Sequence, residues 1–430
     1  MSDTVSEKLE SGGPAASNWR KVVVAGLIGN VMEWYDFAVY GYFASIIGTQ
    51  FFPSENPAIS LISAFGAFAA GFLMRPIGAI LFGHIGDTLG RKRVLTLSVL
   101  AMAVPTTLIG LLPNFETIGI LAPILIVLLR MMQGLSVGGE YTSSVVFMVE
   151  RAPESRRSFF GMWSMWGAIF GIMLGSGIGG AVATIFGDET LASWGWRIPF
   201  LLGSLVALTS YLVRRAMDAD EEAKKSDSPV KDTFVTHYAD VIKVILLDIG
   251  YAVTFYVAFV YLVTYLKVID KLPAEEALNI NTGSMIILLL LIPLTSYLCD
   301  RIGRKPVLVF GYMLLTFGSV PFFAMIHTAD LPLIFLGQFG FVLGFACVSS
   351  AATAANVEML PAAVRCTSYA VAYNAAVGLF GGVTPMIVTW LVTTTGNPIM
   401  PAYWVGGASA ISLAVAIFVY KETRHRAFVK

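Results

Sequence analysis

Two carboxylates, Glu33 and Asp36, stand in the string GNVMEWYDFAVYG (29–41), inside a segment otherwise apolar enough for lipid. A charge at the centre of a bilayer costs about 3 kcal/mol or more unless it is paired or faces water, so each such group is a candidate for chemistry. At about 1.5 Å of rise per helical residue, Glu33 lies roughly 16 Å and Asp36 roughly 21 Å from a helix start near Val22, on either side of the midplane. Glu33, Asp36 and Tyr40 follow at i, i+3 and i+7 with Asn30 one turn below, which gathers the polar groups on one helical face. Arg75 and Arg130 reach a comparable depth, roughly 18 Å from the ends of their own segments. A buried carboxylate facing an arginine can take up and release a proton as its surroundings alternate between dry and wet, because its proton affinity depends on burial and on that arginine. Asp36 with Arg130 is the preferred proton-coupling pair, and a permanent structural bridge between them is the alternative. Glu33 either tunes Asp36 or contacts a cationic substrate head. Arg75, directly before Pro76, either pairs with Glu33 or binds substrate. Asp248, roughly 10 Å into its own segment, is open as a second proton group or a gate residue.

The elements that must position these groups are membrane helices. Of 430 residues, 56% are hydrophobic and only 13% charged, and mean hydropathy is +0.75, which excludes a soluble fold of this size. Apolar runs near the ~20 residues that cross a bilayer fall at 22–50, 59–86, 94–112, 118–148, 158–184, 196–213, 241–266, 278–299, 306–326, 331–356, 366–394 and 401–420. The expected fold is therefore all-α, with twelve transmembrane helices. Of 28 Lys and Arg, 23 lie in the two tails or the even-numbered connections, which places both termini in the cytoplasm. Residues 1–19 are polar and form neither a cleavable signal nor an anchor, so the first span directs insertion. Three cysteines and four histidines show no metal-ligand spacing, and neither a metal nor another cofactor is expected. Zero net charge offers nothing to nucleic acid. No soluble segment holds a Ser/His/Asp set, a P-loop or a dinucleotide fingerprint, so the chain is not read as an enzyme.

Two motifs repeat. Asp87-Thr-Leu-Gly-Arg-Lys92 returns as Asp300-Arg-Ile-Gly-Arg-Lys305, and Glu150-Arg-Ala-Pro-Glu-Ser-Arg-Arg157 shares E-x-x-P-x-x-x-R with Glu358-Met-Leu-Pro-Ala-Ala-Val-Arg365. The offsets, 213 and 208 residues, nearly agree. They imply a duplicated six-helix unit. The chain divides into a tail (1–21), a first bundle (22–213), a polar linker (214–240), a second bundle (241–420) and a short tail (421–430). In D-x-x-G-R-K the glycine permits a tight turn, the basic residues anchor it at the inner face, and the aspartate can meet a helix N-terminus or an arginine across a closing gap. Asp87, Arg91, Glu150, Asp300, Arg304, Glu358 and Arg365 are accordingly expected at a cytoplasmic gate. Glu140 is expected to join them by meeting Arg91.

The duplicated turn between twelve spans resembles the major facilitator superfamily, whose fold is two pseudo-symmetric six-helix bundles around a central cavity. The strings GNVMEWYDFAVYGYFA, FLMRPIGAILFGHIGDTLGRK, GLSVGGEYTSS, SWGWRIPF and MPAYW resemble its metabolite:proton symporters, and most closely the proline/glycine betaine permeases. The resemblance implies proton symport by alternating access in a cell inner membrane, with a small-molecule substrate, protons and lipid as partners. The Asp36 and Arg130 placement is similar to an acid–arginine pair of sugar:proton symporters. Unlike the osmosensory permease, the sequence reaches Lys430 without coiled-coil heptads, so osmosensing by that route is not expected. In the fifth span, Gly171-Ile-Met-Leu-Gly-Ser-Gly-Ile-Gly-Gly180 resembles an antiporter signature but carries Ser176 where that signature has proline, and close helix packing is the expected role of its glycines.

Charge narrows the substrate. Glu33, Asp36, Glu140 and Asp248 against Arg75 and Arg130 leave excess negative charge, which suits a zwitterion or methylated ammonium better than a di- or tricarboxylate. Trp34, Tyr40, Trp163, Trp166, Phe255, Tyr256, Tyr369, Tyr373 and Trp390 fall in spans that the resemblance assigns to the cavity, and aromatic faces hold quaternary ammonium by cation–π attraction. Glu33, Arg75, Tyr40, Trp34, Trp163, Trp166, Tyr256, Tyr373 and Trp390 are the candidate substrate contacts. An organic acid such as 2-oxoglutarate or citrate, a proton-independent facilitator, and a receptor are the alternatives.

Overall fold

The computed structural model describes residues 15–79, 81, 91–137, 139–205 and 233–424, without the side chains of 15–26, 28, 29, 91–96, 98, 99 and 140. All regular structure among these residues is helical. The first part holds α1 (Ala15–Tyr42), α2 (Ala44–Phe51), α3 (Pro57–Leu73), α4 (Arg91–Leu111), α5 (Leu121–Ser136), α6 (Glu140–Arg151) and α7 (Arg157–Thr190), and residues 197–205 are helical as well. The second part holds α8 (Tyr238–Tyr256), α9 (Leu262–Val268), α10 (Ala274–Ile302), α11 (Arg304–His327), α12 (Leu331–Met359), α13 (Arg365–Ala376), α14 (Thr384–Thr395) and α15 (Met400–Ala414).

Local chemistry sets several of these limits. Asn56 caps α3 by accepting from Ala58 N at 3.0 Å, and Pro57 opens the helix where its missing N–H costs nothing. Gly303 turns α10 into α11 at φ 109°, a conformation closed to residues with a Cβ, as the D-x-x-G-R-K motif requires.

Nine helices among the described residues are long and apolar enough to cross a membrane. Of the remaining expected spans, 22–50 is carried by α1 and α2 with a break at Phe43, 94–112 by α4, and 196–213 runs past the described residues. In the span Tyr238–Val268, in which a wide π-type turn joins α8 to α9, 89% of the residues in its apolar 18-residue stretch are buried, against 39% for Arg304–His327. The first is thus central, whereas the second keeps Phe310 and Phe317 on an outer, lipid-suited wall.

Close approach depends on glycine. A Cβ at Gly167 would stand 2.8 Å from Leu27 O, and Gly171 faces the Val31 backbone, so α1 lies directly on α7. Gly71 similarly lets α3 reach the Arg130 backbone of α5, at 2.9 Å from a built Cβ. That contact brings Arg130 to the centre.

Candidate functional site

Glu33, Asp36, Arg75, Arg130 and Asp248 are all buried to 3% exposure or less. Glu33 Oε1 accepts from Arg75 Nη2 at 2.9 Å, and Arg75 Nε donates to Asn374 Oδ1 at 3.0 Å, so a pair within the first part is tied to α13 of the second. The pairing of Arg75 with Glu33 is one of the two roles foreseen for that arginine.

Asp36 and Arg130 make no ion pair within 4.0 Å. They are joined instead through two neutral side chains. Thr106 Oγ1 meets Asp36 Oδ2 at 2.8 Å, Gln133 Nε2 donates to Thr106 Oγ1 at 2.7 Å, and Arg130 Nη1 donates to Gln133 Oε1 at 2.7 Å. The physical reason for the separation is aromatic: the Arg130 guanidinium lies 4.4 Å over the Tyr40 ring, 4.7 Å over Phe37 and 5.2 Å over Phe68. Ring faces hold it where a carboxylate was expected. Gly203 keeps the other side of Asp36 open, since a Cβ there would stand 2.9 Å from Asp36 Oδ1.

The remaining aromatic candidates divide. Tyr40 donates to Ala64 O at 3.1 Å, and Trp34 connects the arginine to the second part, 5.6 Å from the Arg75 guanidinium and 5.5 Å from Phe255. Tyr256 packs edge-on to Phe72 at 5.2 Å, with its hydroxyl unpartnered among the described residues. Trp163 and Trp166 lie elsewhere: they are 6.0 Å apart on α7, and Trp166 Nε1 donates to Leu289 O of α10, so they serve the packing between these helices. Trp390 is 53% exposed on α14 and is not a lining residue. Its bulk faces outward from the helix.

A second polar centre surrounds Asp248. Asn356 Nδ2 donates to both of its oxygens, at 3.0 and 2.8 Å. Tyr141, Tyr251, Tyr369 and Tyr373 line the same cavity, whose volume of about 10 Å³ is near that of one water site.

Ionic contacts close one end of the molecule. Each E-x-x-P-x-x-x-R motif gives its arginine to the other motif's glutamate: Arg157 Nη1 to Glu358 Oε1 at 3.3 Å, and Arg365 Nη1 to Glu150 Oε1 at 2.6 Å. Arg304 also binds Glu358, at 3.0 Å, and Asp300, at 3.3 Å. Asp300 accepts the backbone N–H groups of Ser158 and Phe159 at 3.0 and 2.9 Å, so it sits on the N-terminus of α7. Asp87 lies outside the described residues, as do the side chains of Arg91 and Glu140, and with them the expected Glu140–Arg91 contact.

Hydrogen bonds close the other end, where Lys267 Nζ of α9 donates to Ser45 Oγ of α2 at 3.4 Å. Asn281 Nδ2 donates to Tyr42 Oη at 2.8 Å and to Ser176 Oγ at 3.2 Å, and Ser176 donates to Leu278 O at 2.9 Å. Ser176, at the departure from the antiporter string, thus bridges α7 and α10.

Sequence reasoning missed Thr106, Gln133, Asn356 and Asn374. Only Gln133, one turn from Arg130, stood where helical spacing could have pointed to it.

Family models described as Sugar (and other) transporter and Major Facilitator Superfamily match residues 21–218 and 247–429, respectively. The chain is 35% identical over 427 residues to a glycine betaine/proline/ectoine/pipecolic acid transporter of Dickeya dadantii, covering 95% of this chain and 84% of that protein. It is 33% identical over 423 residues to a proline/betaine transporter of Escherichia coli K12, with the same coverage. Among solved structures, the xylose transporter XylE of E. coli in a partially occluded inward-open conformation superposes with a TM-score of 0.75 at 17% identity, over 96% of this chain and all of that one. This chain therefore belongs to the major facilitator superfamily of membrane transporters.

Proposed function

We propose that the chain imports a small zwitterionic metabolite, such as proline or glycine betaine, together with a proton. Twelve spans in two six-helix bundles, 22–213 and 241–420, would rock around the central site of an inner membrane with both termini in the cytoplasm. The observation that carries this reading is a buried carboxylate, Asp36, connected to a ring-held Arg130 through Thr106 and Gln133. Such a carboxylate can exchange a proton without stranding a charge, because the arginine remains held by aromatic faces in either state. The names of the relatives support the substrate class. The ionic end, with Glu150, Asp300, Arg304, Glu358 and Arg365, then acts as the cytoplasmic gate.

An organic acid is the second reading. Arg75 Nη1 and Arg130 Nε and Nη2 have no hydrogen-bond partner among the described residues, so guanidinium donors are available to a carboxylate. Both readings are separated by uptake into proteoliposomes under an imposed inward proton gradient, comparing labelled proline, glycine betaine, 2-oxoglutarate and citrate, with and without a protonophore. Protonophore-sensitive uptake of proline or betaine is expected. Asp36→Asn should abolish accumulation against a gradient while leaving exchange of internal for external substrate, and normal accumulation by that variant would remove Asp36 from the coupling.

A further inference from the structure

Among the described residues, three carboxylates, Glu33, Asp36 and Asp248, are buried in the central region against two guanidiniums, those of Arg75 and Arg130. Glu33 is paired with Arg75, and Asp36 leads through its relay to Arg130. The surplus negative charge is therefore at Asp248. Its oxygens accept from Asn356 alone among the described residues, and no Lys, Arg or His lines its cavity. An uncompensated charge in such a place requires a cation or a proton.

The surroundings choose between cations. Tyr141 and Tyr373 stack at 4.7 Å, Tyr369 stands 5.9 Å from Tyr373, and Tyr251 rests on Phe345 at 5.2 Å. Tyr373 is 1% exposed and lines the cavity, with its hydroxyl unpartnered among the described residues. Aromatic rings lining the cavity of one carboxylate favour a weakly hydrated alkylammonium, which needs few hydrogen bonds and gains from cation–π contact. A small inorganic cation would require several oxygen ligands instead. Resting on the zwitterion reading above, we propose that Asp248, with Tyr141, Tyr251, Tyr369 and Tyr373, forms the ammonium subsite of the transporter.

The anionic end of the substrate then points toward Arg75. Trp34 is the ring shared by the two centres, 6.1 Å from Tyr141 and 5.6 Å from the Arg75 guanidinium, and Arg75 Nη1 is an unused donor among the described residues. Tyr141 comes from α6 and Tyr373 from α13, so parting the two halves opens the stack and enlarges the cavity to substrate size. The closed stack covers the ammonium when the halves meet.

The test is equilibrium binding of labelled glycine betaine to the purified full chain, in competition with 3,3-dimethylbutyrate, which has a carbon in place of the quaternary nitrogen. The wild type is expected to prefer betaine over this isostere, whose head is uncharged and whose carboxylate is kept, and Asp248→Asn to weaken betaine at least about tenfold while bringing the two ligands near parity. Tyr373→Leu should lose about tenfold and Tyr373→Phe stay within about twofold, since only the ring face is used. Because Tyr373→Phe and Tyr373→Leu differ in the ring alone, that pair decides the matter if Asp248→Asn does not fold. Unchanged betaine preference in Asp248→Asn, or equal losses in both Tyr373 variants, would overturn the subsite and leave the substrate class intact. A wild type that binds neither betaine nor proline would overturn the substrate class and the subsite together.

Discussion

A hydroxyl carries one proton, and Thr106 Oγ1 has two acceptors in reach, Met102 O and Asp36 Oδ2, each at 2.8 Å. Gln133 Nε2 already donates to the same oxygen at 2.7 Å. An ionised Asp36 draws the hydroxyl proton to itself. A protonated Asp36 donates to the hydroxyl, which then turns to its own helix. Thr106 thus serves both states without a heavy atom moving. Thr106→Val removes this adaptor and should reduce proton-driven uptake about tenfold, the cost of a lost hydrogen bond to a charged group. Thr106→Ser should retain it, and uptake in proteoliposomes distinguishes the two. Glu33, Asp36, Arg75 and Arg130 were legible in the sequence because charges in an apolar run are costly enough to mark themselves. Thr106, Gln133 and Asn374 were not, since a neutral polar residue in a helix can bond its own backbone, and Asn374 does donate to Ala370 O while meeting Arg75. The indirect Asp36–Arg130 link escaped because helical spacing can point to Gln133 beside Arg130 but not to Thr106 on another helix or to the aromatic floor.

At the scale of elements, α7 shows which glycines carry packing. Gly171 lies on the Val31 backbone of α1, whereas a Cβ at Gly177 would find nothing nearer than 3.8 Å. Gly171→Leu should therefore separate α1 from α7 and abolish folded protein, judged by a monodisperse peak on size exclusion, while Gly177→Ala should be near neutral. The four-residue glycine spacing was visible in sequence, but which glycines are contacts was not. The start of α11 offers a second case. Glu422, beyond the last candidate span, accepts the backbone N–H groups of Arg304 and Lys305 at 3.1 and 2.9 Å, and Thr423 donates to Glu358 at 2.5 Å. Burial alone would raise the Glu422 carboxyl, but these and two further backbone N–H groups hold it below the ordinary glutamate range. Its stabilisation is accordingly complete above the ordinary glutamate pKa and is lost as pH falls through the depressed value. Glu422→Gln should lower stability by about 1 kcal/mol at neutral pH, a typical capping contribution, and the deficit should vanish in acid. Thermal melts across that pH range check both parts.

At the scale of the molecule, the two halves meet through ion pairs at one end and through hydrogen bonds at the other. Ser158 Oγ of α7 lies 3.2 Å from Cys299 Sγ of α10 in the charged seam. With Cys347 and Cys366 replaced by Ala, Ser158→Cys should form a disulfide with Cys299 on oxidation. If this end is the cytoplasmic gate, uptake should stop when the bond forms and return on reduction. Uptake unaffected by complete cross-linking would show that these elements need not part.

The exchanged partners of the two E-x-x-P-x-x-x-R motifs bear on inheritance. Arg157 belongs to Glu358 and Arg365 to Glu150, so each copy of the repeated unit keeps a residue whose counterpart is encoded in the other copy. Deleting Arg157 removes one partner of Glu358, which Arg304 of the same half still holds, and deleting Arg365 removes a partner of the half-exposed Glu150, so each loss is felt across the seam. The two motifs are thereby coupled, and a chimera joining halves from different relatives should assemble best when both donors carry the same exchange.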